Sequence, residues 1–155
     1  MTVAVNHERS ITMEIKRRGS AVWQGGFKDG KGAISTASGA LKAYPYGFAS
    51  RFEGVPGTNP EELLGAAHAS CFTMALSRSL GEAGLTAEKM ETTAEVTLAQ
   101  VDGGFAITAV HLSLQAKVPD ADAATFQTLA AKAKAGCPIS KVLKADISLD
   151  AILLP

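Results

Sequence analysis

The run Thr58-Asn59-Pro60-Glu61-Glu62-Leu63-Leu64-Gly65-Ala66-Ala67-His68-Ala69-Ser70-Cys71-Phe72-Thr73-Met74-Ala75-Leu76-Ser77 holds both the start and the character of the principal helix of this chain. Thr58 and Asn59 offer an N-cap oxygen, Pro60 stands where its missing N–H costs nothing, and Glu61 and Glu62 set carboxylates at the positive end of the helix dipole. From Leu63 to Ser77 run 15 residues without Asp, Glu, Lys or Arg. That is short of the roughly 20 a bilayer-spanning helix needs, so the segment reads as a core helix reaching to about Leu80, ended by Gly81 and Gly84. Leu63, Leu64, Ala66, Ala67, Cys71, Phe72, Met74 and Leu76 occupy nearly every face, which predicts burial on all sides. One subunit of 155 residues with two modest sheets falls short of that much cover, so a homodimer sharing its core is expected.

Strand patterns flank the helix on both sides. Residues 1–10 are polar and patternless and are expected to be a disordered extension, with 11–155 forming a single domain. Ile11, Met13 and Ile15 alternate with Thr12, Glu14 and Lys16 as a strand would, and turns are expected at Gly25-Gly26 and at Asp29-Gly30-Lys31-Gly32, the latter as a hairpin tip. Ala43 to Phe52, with Pro45 and Gly47 among aromatics, reads as a loop or an irregular strand edge. Beyond the helix, Ala94, Val96 and Leu98 mark one strand and Val110, Leu112 and Leu114 another, joined by Asp102-Gly103-Gly104. A second helix is predicted from about Ala121 to Ala135. Gly136-Cys137-Pro138 breaks it, a short helix follows over Ile139 to Lys144, and a strand through Ile147, Leu149, Ala151 and Leu153 closes an α+β order.

The chain balances 15 Lys+Arg against 15 Asp+Glu, for a net charge of zero. It therefore has no global field for phosphate backbones or anionic membranes, and no nucleic-acid or membrane partner is expected. The balance is uneven along the chain, with 8 basic against 4 acidic residues over 1–60 and 7 against 11 over 61–155. The N-terminal residues lack the apolar run of a secretory signal, which makes a cytoplasmic location the expectation. In that reducing compartment the two cysteines are free thiols or one pair that cycles.

Taken alone, Cys71 on the apolar helix reads as an inert space filler. Cys137 reads more sharply, because it precedes Pro138 at a helix start, where the dipole favours thiolate. His68 shares a helix face with Cys71, which raises a Cys–His nucleophile or a metal pair. One His and one Cys make only half a zinc site, and no Cys-x-x-Cys or His-x-x-x-His completes it, so no metal is expected and a hydrogen-bonded interface histidine is the plain reading. Glu61 lies ten residues before Cys71, about 15 Å away along a straight helix. A shared site therefore requires either a break at Gly65 or a Glu61 supplied by a second subunit. Read plainly, Glu61 is a capping carboxylate and Arg51 an exposed arginine whose stem covers apolar surface.

Five motifs in order carry a family resemblance: Pro45-Tyr46-Gly47-Phe48; Arg51-Phe52-Glu53-Gly54; Gly57-Thr58-Asn59-Pro60-Glu61-Glu62-Leu63; Ala66-Ala67-His68-Ala69-Ser70-Cys71-Phe72; and Lys134-Ala135-Gly136-Cys137-Pro138. From about Ile15 to Leu149 the chain resembles the OsmC/Ohr family, and its Arg-Phe-Glu-Gly segment resembles the OsmC branch rather than the Ohr branch, whose arginine comes from an earlier loop. The resemblance implies an α+β fold with two antiparallel sheets around a long buried central helix, in an intertwined homodimer with active sites at the interface. It implies thiol-dependent reduction of organic hydroperoxides and hydrogen peroxide, in defence against oxidative and osmotic stress. Cys71 resembles the peroxidatic cysteine and Cys137 the resolving one, and Arg51 and Glu61 resemble the charged pair that activates the thiolate. The implied chemistry runs through a Cys71 sulfenic acid to a Cys71–Cys137 disulfide, with no bound cofactor and an external, lipoyl-type dithiol as reductant. Phe48, Phe52, Phe72 and Met74 would suit an alkyl peroxide as a lining, or are plain core. The rival expectation is a non-catalytic stress-related binding protein with an apolar pocket.

Overall fold

A computed structural model describes residues 13–155, and the expected N-terminal extension over 1–10 lies outside the described residues. The chain forms two compact units that divide between Gly57 and Thr58.

In the first unit, strands β1 (Gly19–Gln24), β2 (Lys31–Thr36) and β3 (Tyr44–Gly47) form an antiparallel sheet in that order, followed by the short helix α1 (Phe48–Phe52). Gln24 pairs with Lys31, so the hairpin tip is 25–30 and Gly32 lies inside β2 opposite Tyr46. The strand expected from Ile11 is not found over its described part: residues 13–18 form no element, because the ladder to β2 begins only at Gly19 opposite Thr36. Tyr44 to Phe52 is likewise more ordered than a loop. Pro45 is tolerated because β3 is the outer strand of the sheet, and the Ser50 hydroxyl accepts from Gly47 N–H at 3.0 Å where α1 starts. Phe27, Phe48 and Phe52 form a ring cluster, with 4.9 Å between the centroids of Phe48 and Phe52.

The second unit comprises α2 (Pro60–Glu82), β4 (Lys89–Val101), β5 (Gly104–Lys117), α3 (Ala123–Gly136), α4 (Pro138–Val142) and β6 (Asp146–Leu154). Asn59 is the cap of α2, its Oδ1 accepting from Glu62 N–H at 2.8 Å, with Pro60 in the first turn. The helix runs unbroken through Gly65. A Cβ there would come 2.9 Å from the Ala94 carbonyl oxygen, so the glycine serves a close approach of α2 to β4 rather than a break. The left-handed Gly84 (φ +76°) turns the chain out beyond the end of α2.

β4 and β5 are antiparallel, joined at Asp102-Gly103, whereas β6 runs parallel to β5 from Ala109 opposite Asp146 to Lys117 opposite Leu154. This sheet is therefore mixed, not antiparallel throughout. The cause is the connection: α3 and α4 carry the chain back to the starting end of β5, as a parallel pairing requires. Val110, Leu112, Leu114 and Ala116 alternate inward on β5 and meet Phe72, Leu76 and Leu80 of α2 and Phe126, Ala130 and Ala133 of α3. Within the chain, α2 is covered along one stripe, Gly65, His68, Phe72, Leu76 and Ser79, while Ala66, Ala67, Ser70 and Met74 are exposed. The burial on all sides expected from composition rests on a second subunit; within one chain it holds for one face of α2. No helix among the described residues is long and apolar enough to cross a membrane.

Candidate functional site

Pro138 biases the residue before it away from helical backbone, and Cys137 accordingly has φ −61° and ψ 124°. One residue therefore ends α3 and starts α4: its N–H donates to Ala133 O at 2.9 Å and its carbonyl accepts from Lys141 N–H at 3.0 Å. This hinge carries the Cys137 side chain inward to full burial. There it lies near Cys71 of α2, which packs against the same core cluster, and each thiol shifts the pKa of the other. The two cysteines, 66 residues apart in sequence, form one site, and both are reduced.

The pair is electrically unequal. Burial raises the Cys71 thiol, as does donation to Cys137, and the Ile139 amide only partly opposes them. At Cys137 burial also pushes upward, but hydrogen bonds from Cys71, from the Ser140 amide and hydroxyl and from the Ile139 amide outweigh it, so that thiol is held below the ordinary range.

His68 is fully buried on the covered stripe of α2, and its Nε2 lies 2.8 Å from Ser140 Oγ. The hydrogen bond is the one expected of it, but the ring is buried inside a single chain against α4 rather than placed at an interface. Burial lowers its pKa, so the folded protein holds the ring neutral while the unfolded chain takes up a proton below pH ~6.5. More protons are then bound in the unfolded state, and stability must fall as pH drops below that value. Urea titrations from pH 7 to pH 5 should show this slope, and His68→Gln should reduce it; an unchanged slope would remove the assignment.

Cys71 borders a cleft of about 590 Å³. Met74, Ala75, Ala133 and Pro138 give it apolar walls, and at one end Glu82 accepts from Arg78 at 2.9 Å and from Lys132 at 3.4 Å. Phe72, expected with Met74 as a lining, is fully buried and belongs to the core. Glu61 stands in the first turn of α2, on the same unbroken helix as Cys71. Arg51 stands on α1 of the first unit, its guanidinium carbon 5.3 Å from the centre of the Phe52 ring. Among the described residues no group of His, Cys, Asp and Glu gathers in a way that would hold a metal ion. Ser140 is the site residue that the sequence reading missed. Its signal is Cys137-Pro138-Ile139-Ser140, a hydroxyl three residues after a capping cysteine, in the first turn of the helix it starts.

The model of the OsmC-like protein family matches residues 52–151, which include both cysteines. The chain belongs to the OsmC family. Over 138 residues, 89% of this chain and 96% of its relative, it is 59% identical to the peroxiredoxin OsmC of Escherichia coli K12. It is 34% identical over 102 residues, 62% of this chain and 66% of the other, to an organic hydroperoxide resistance protein of Xanthomonas axonopodis pv. citri. Among solved structures it matches the organic hydroperoxide resistance protein OhrB of Bacillus subtilis with a TM-score of 0.63 and 27% identity, covering 88% of this chain and 98% of that one. The mixed sheet and the two-cysteine hinge are therefore seen in an OsmC-family chain.

Proposed function

We propose that this OsmC-family chain is a thiol-dependent peroxidase that reduces organic hydroperoxides and hydrogen peroxide, with Cys71 as the attacking thiol and Cys137 as the resolving one. The observation that supports it is that Cys71 packs against the core cluster containing Cys137, near enough for each thiol to shift the pKa of the other, in a chain 59% identical to a protein named peroxiredoxin. Cys71 is the more accessible of the two and borders the cleft, whereas Cys137 is buried behind it. The Cys71 thiolate takes the distal peroxide oxygen, the O–O bond breaks, and the departing alkoxide or hydroxide is protonated to alcohol or water. The sulfenic acid on Cys71 then condenses with the Cys137 thiol, giving a disulfide and one water. An external dithiol, of the lipoyl type, returns both cysteines to thiols. We place this activity in the cytoplasm and in the defence against oxidative and osmotic stress.

The first step needs a cation, because burial and Cys137 both hold the proton on Cys71. Arg51 is the group proposed to supply it, oriented by a carboxylate through a charge-assisted pair. α2 is continuous from Pro60 to Glu82, so Glu61 lies about 15 Å from Cys71 of its own chain. We assign the role to Glu61 of the partner subunit in a homodimer, packed on the exposed stripe of Ala66, Ala67, Ser70 and Met74. Co-refolding inactive Cys71→Ser with inactive Glu61→Ala subunits tests the assignment. Half of the dimers then hold one complete site, so the mixture should recover about a quarter of the unmodified activity. No recovery would place Glu61 within its own subunit or outside the mechanism.

A further inference from the structure

We propose that His68 and Ser140 form a positioning pair for Cys137, in which His68 donates Nε2–H to Ser140 Oγ and thereby turns the single hydroxyl hydrogen of Ser140 onto the Cys137 sulfur. The proposal rests on the redox reading of the two cysteines and adds to it the group that readies the resolving thiol.

The argument is one of hydrogen counting. Nε2 and Oγ are 2.8 Å apart, and either could be the donor. His68 is fully buried, and its Nδ1 has no hydrogen-bond partner. If Ser140 gave its hydrogen to Nε2, the neutral ring would carry its own hydrogen on Nδ1, an orphaned buried donor of a kind that folded proteins rarely tolerate. With the hydrogen on Nε2, Nδ1 keeps only a bare lone pair, and the Ser140 hydrogen is left free. Ser140 is the third residue of the helix that Cys137 caps, the position whose side chain turns back toward the cap residue, and the Cys137 side chain is fully buried there. Burial keeps the ring neutral, so the chain runs His68 to Ser140 to Cys137 without a buried cation.

The resolving step uses this directly. The Cys137 thiolate attacks the sulfur of the Cys71 sulfenic acid, the S–S bond forms, the S–O bond breaks, and the hydroxide leaves as water with the proton that Cys137 gave up on ionising. Cys137 is oxidised and the Cys71 sulfur reduced, with no further reactant. The other charged groups on the elements around the pair are Glu61 and Glu62 in the first turn of α2, Arg78 and Lys132 held on Glu82, Lys134 donating to Ile147 O at 3.1 Å, and the exposed Lys141 of α4.

The test compares Ser140→Ala, His68→Met and His68→Gln in the full chain, by two readouts. Thiolate absorbance against pH in a Cys71→Ser background isolates Cys137, and rapid mixing with one equivalent of an organic hydroperoxide gives the rate of disulfide closure. Ser140→Ala and His68→Met should each raise the Cys137 midpoint by about one pH unit and slow closure about tenfold. His68→Gln keeps an N–H for Ser140 and should restore both, and the Ser140→Ala/His68→Met double variant should be no worse than either single one. A His68→Met protein that titrates and closes like the unmodified chain, or a His68→Gln protein as impaired as His68→Met, would overturn the proposal. If the unmodified chain forms no disulfide, the redox reading fails, and the titration alone still decides whether His68 acts on Cys137.

Discussion

Cys71→Ser is expected to bring peroxide consumption to background, whereas Cys137→Ser should consume close to one equivalent per chain and then stop. The asymmetry follows from the burial and order of the two thiols. Cys71 is half-buried beside the cleft and Cys137 wholly buried behind it, so a peroxide entering from the cleft meets Cys71 first. A serine hydroxyl at 71 cannot take up an oxygen atom. With serine at 137, the Cys71 sulfenic acid has no thiol to condense with and climbs to sulfinic acid under excess peroxide. Mass spectrometry of the quenched protein should show one and then two added oxygen atoms on the peptide carrying Cys71. Sustained turnover in both variants would sink the two-cysteine cycle. Thiols that stay unoxidised under peroxide in the unmodified protein would favour a binding protein whose cysteines only fill space.

The second large effect falls one residue further along α2. Phe72 is fully buried between the helix and β5, and Phe72→Ala should remove about 3–5 kcal/mol through lost transfer energy and the cavity left behind. That is a large share of the 5–15 kcal/mol typical of a folded protein. At roughly 2–4 °C per kcal/mol for a chain of this size, Tm should fall by about 10 °C. Thermal unfolding followed by circular dichroism measures it, and a drop of under about 2 °C would show that α2 does not depend on this contact. Met74, two residues on, is 76% exposed and has no comparable part in the core of its own chain.

Local chemistry made α2 legible in advance. Asn59, Pro60 and the paired glutamates specify a helix start whatever surrounds them, and the structure places the cap on Asn59. The β4–β5 hairpin and the capping position of Cys137 were equally readable, from period-two alternation and from Pro138. What depends on distant partners was not. Among the described residues, Met13 and Ile15 continue an alternation that resembles a strand, but a strand exists only where a neighbour takes its hydrogen bonds, and the described ladder to β2 starts at Gly19. Parallel pairing of β6 is a property of the returning helices rather than of the strand's own residues. Ser140 was overlooked because its value comes from His68, 72 positions earlier. The nearness of the two thiols could be expected from the family resemblance, yet the opposite shifts of their pKa values depend on burial and on neighbours that only the folded hinge supplies.

The parallel pairing of β6 also sets a schedule for synthesis. Cys137 sits on the crossover between β5 and β6, so it is made after all of α2, β4 and β5. The ribosome adds about 5–20 residues each second, and the 66 residues separating the cysteines therefore take about 3–13 s to make. For that interval the nascent polypeptide carries Cys71 without a second thiol to pair with.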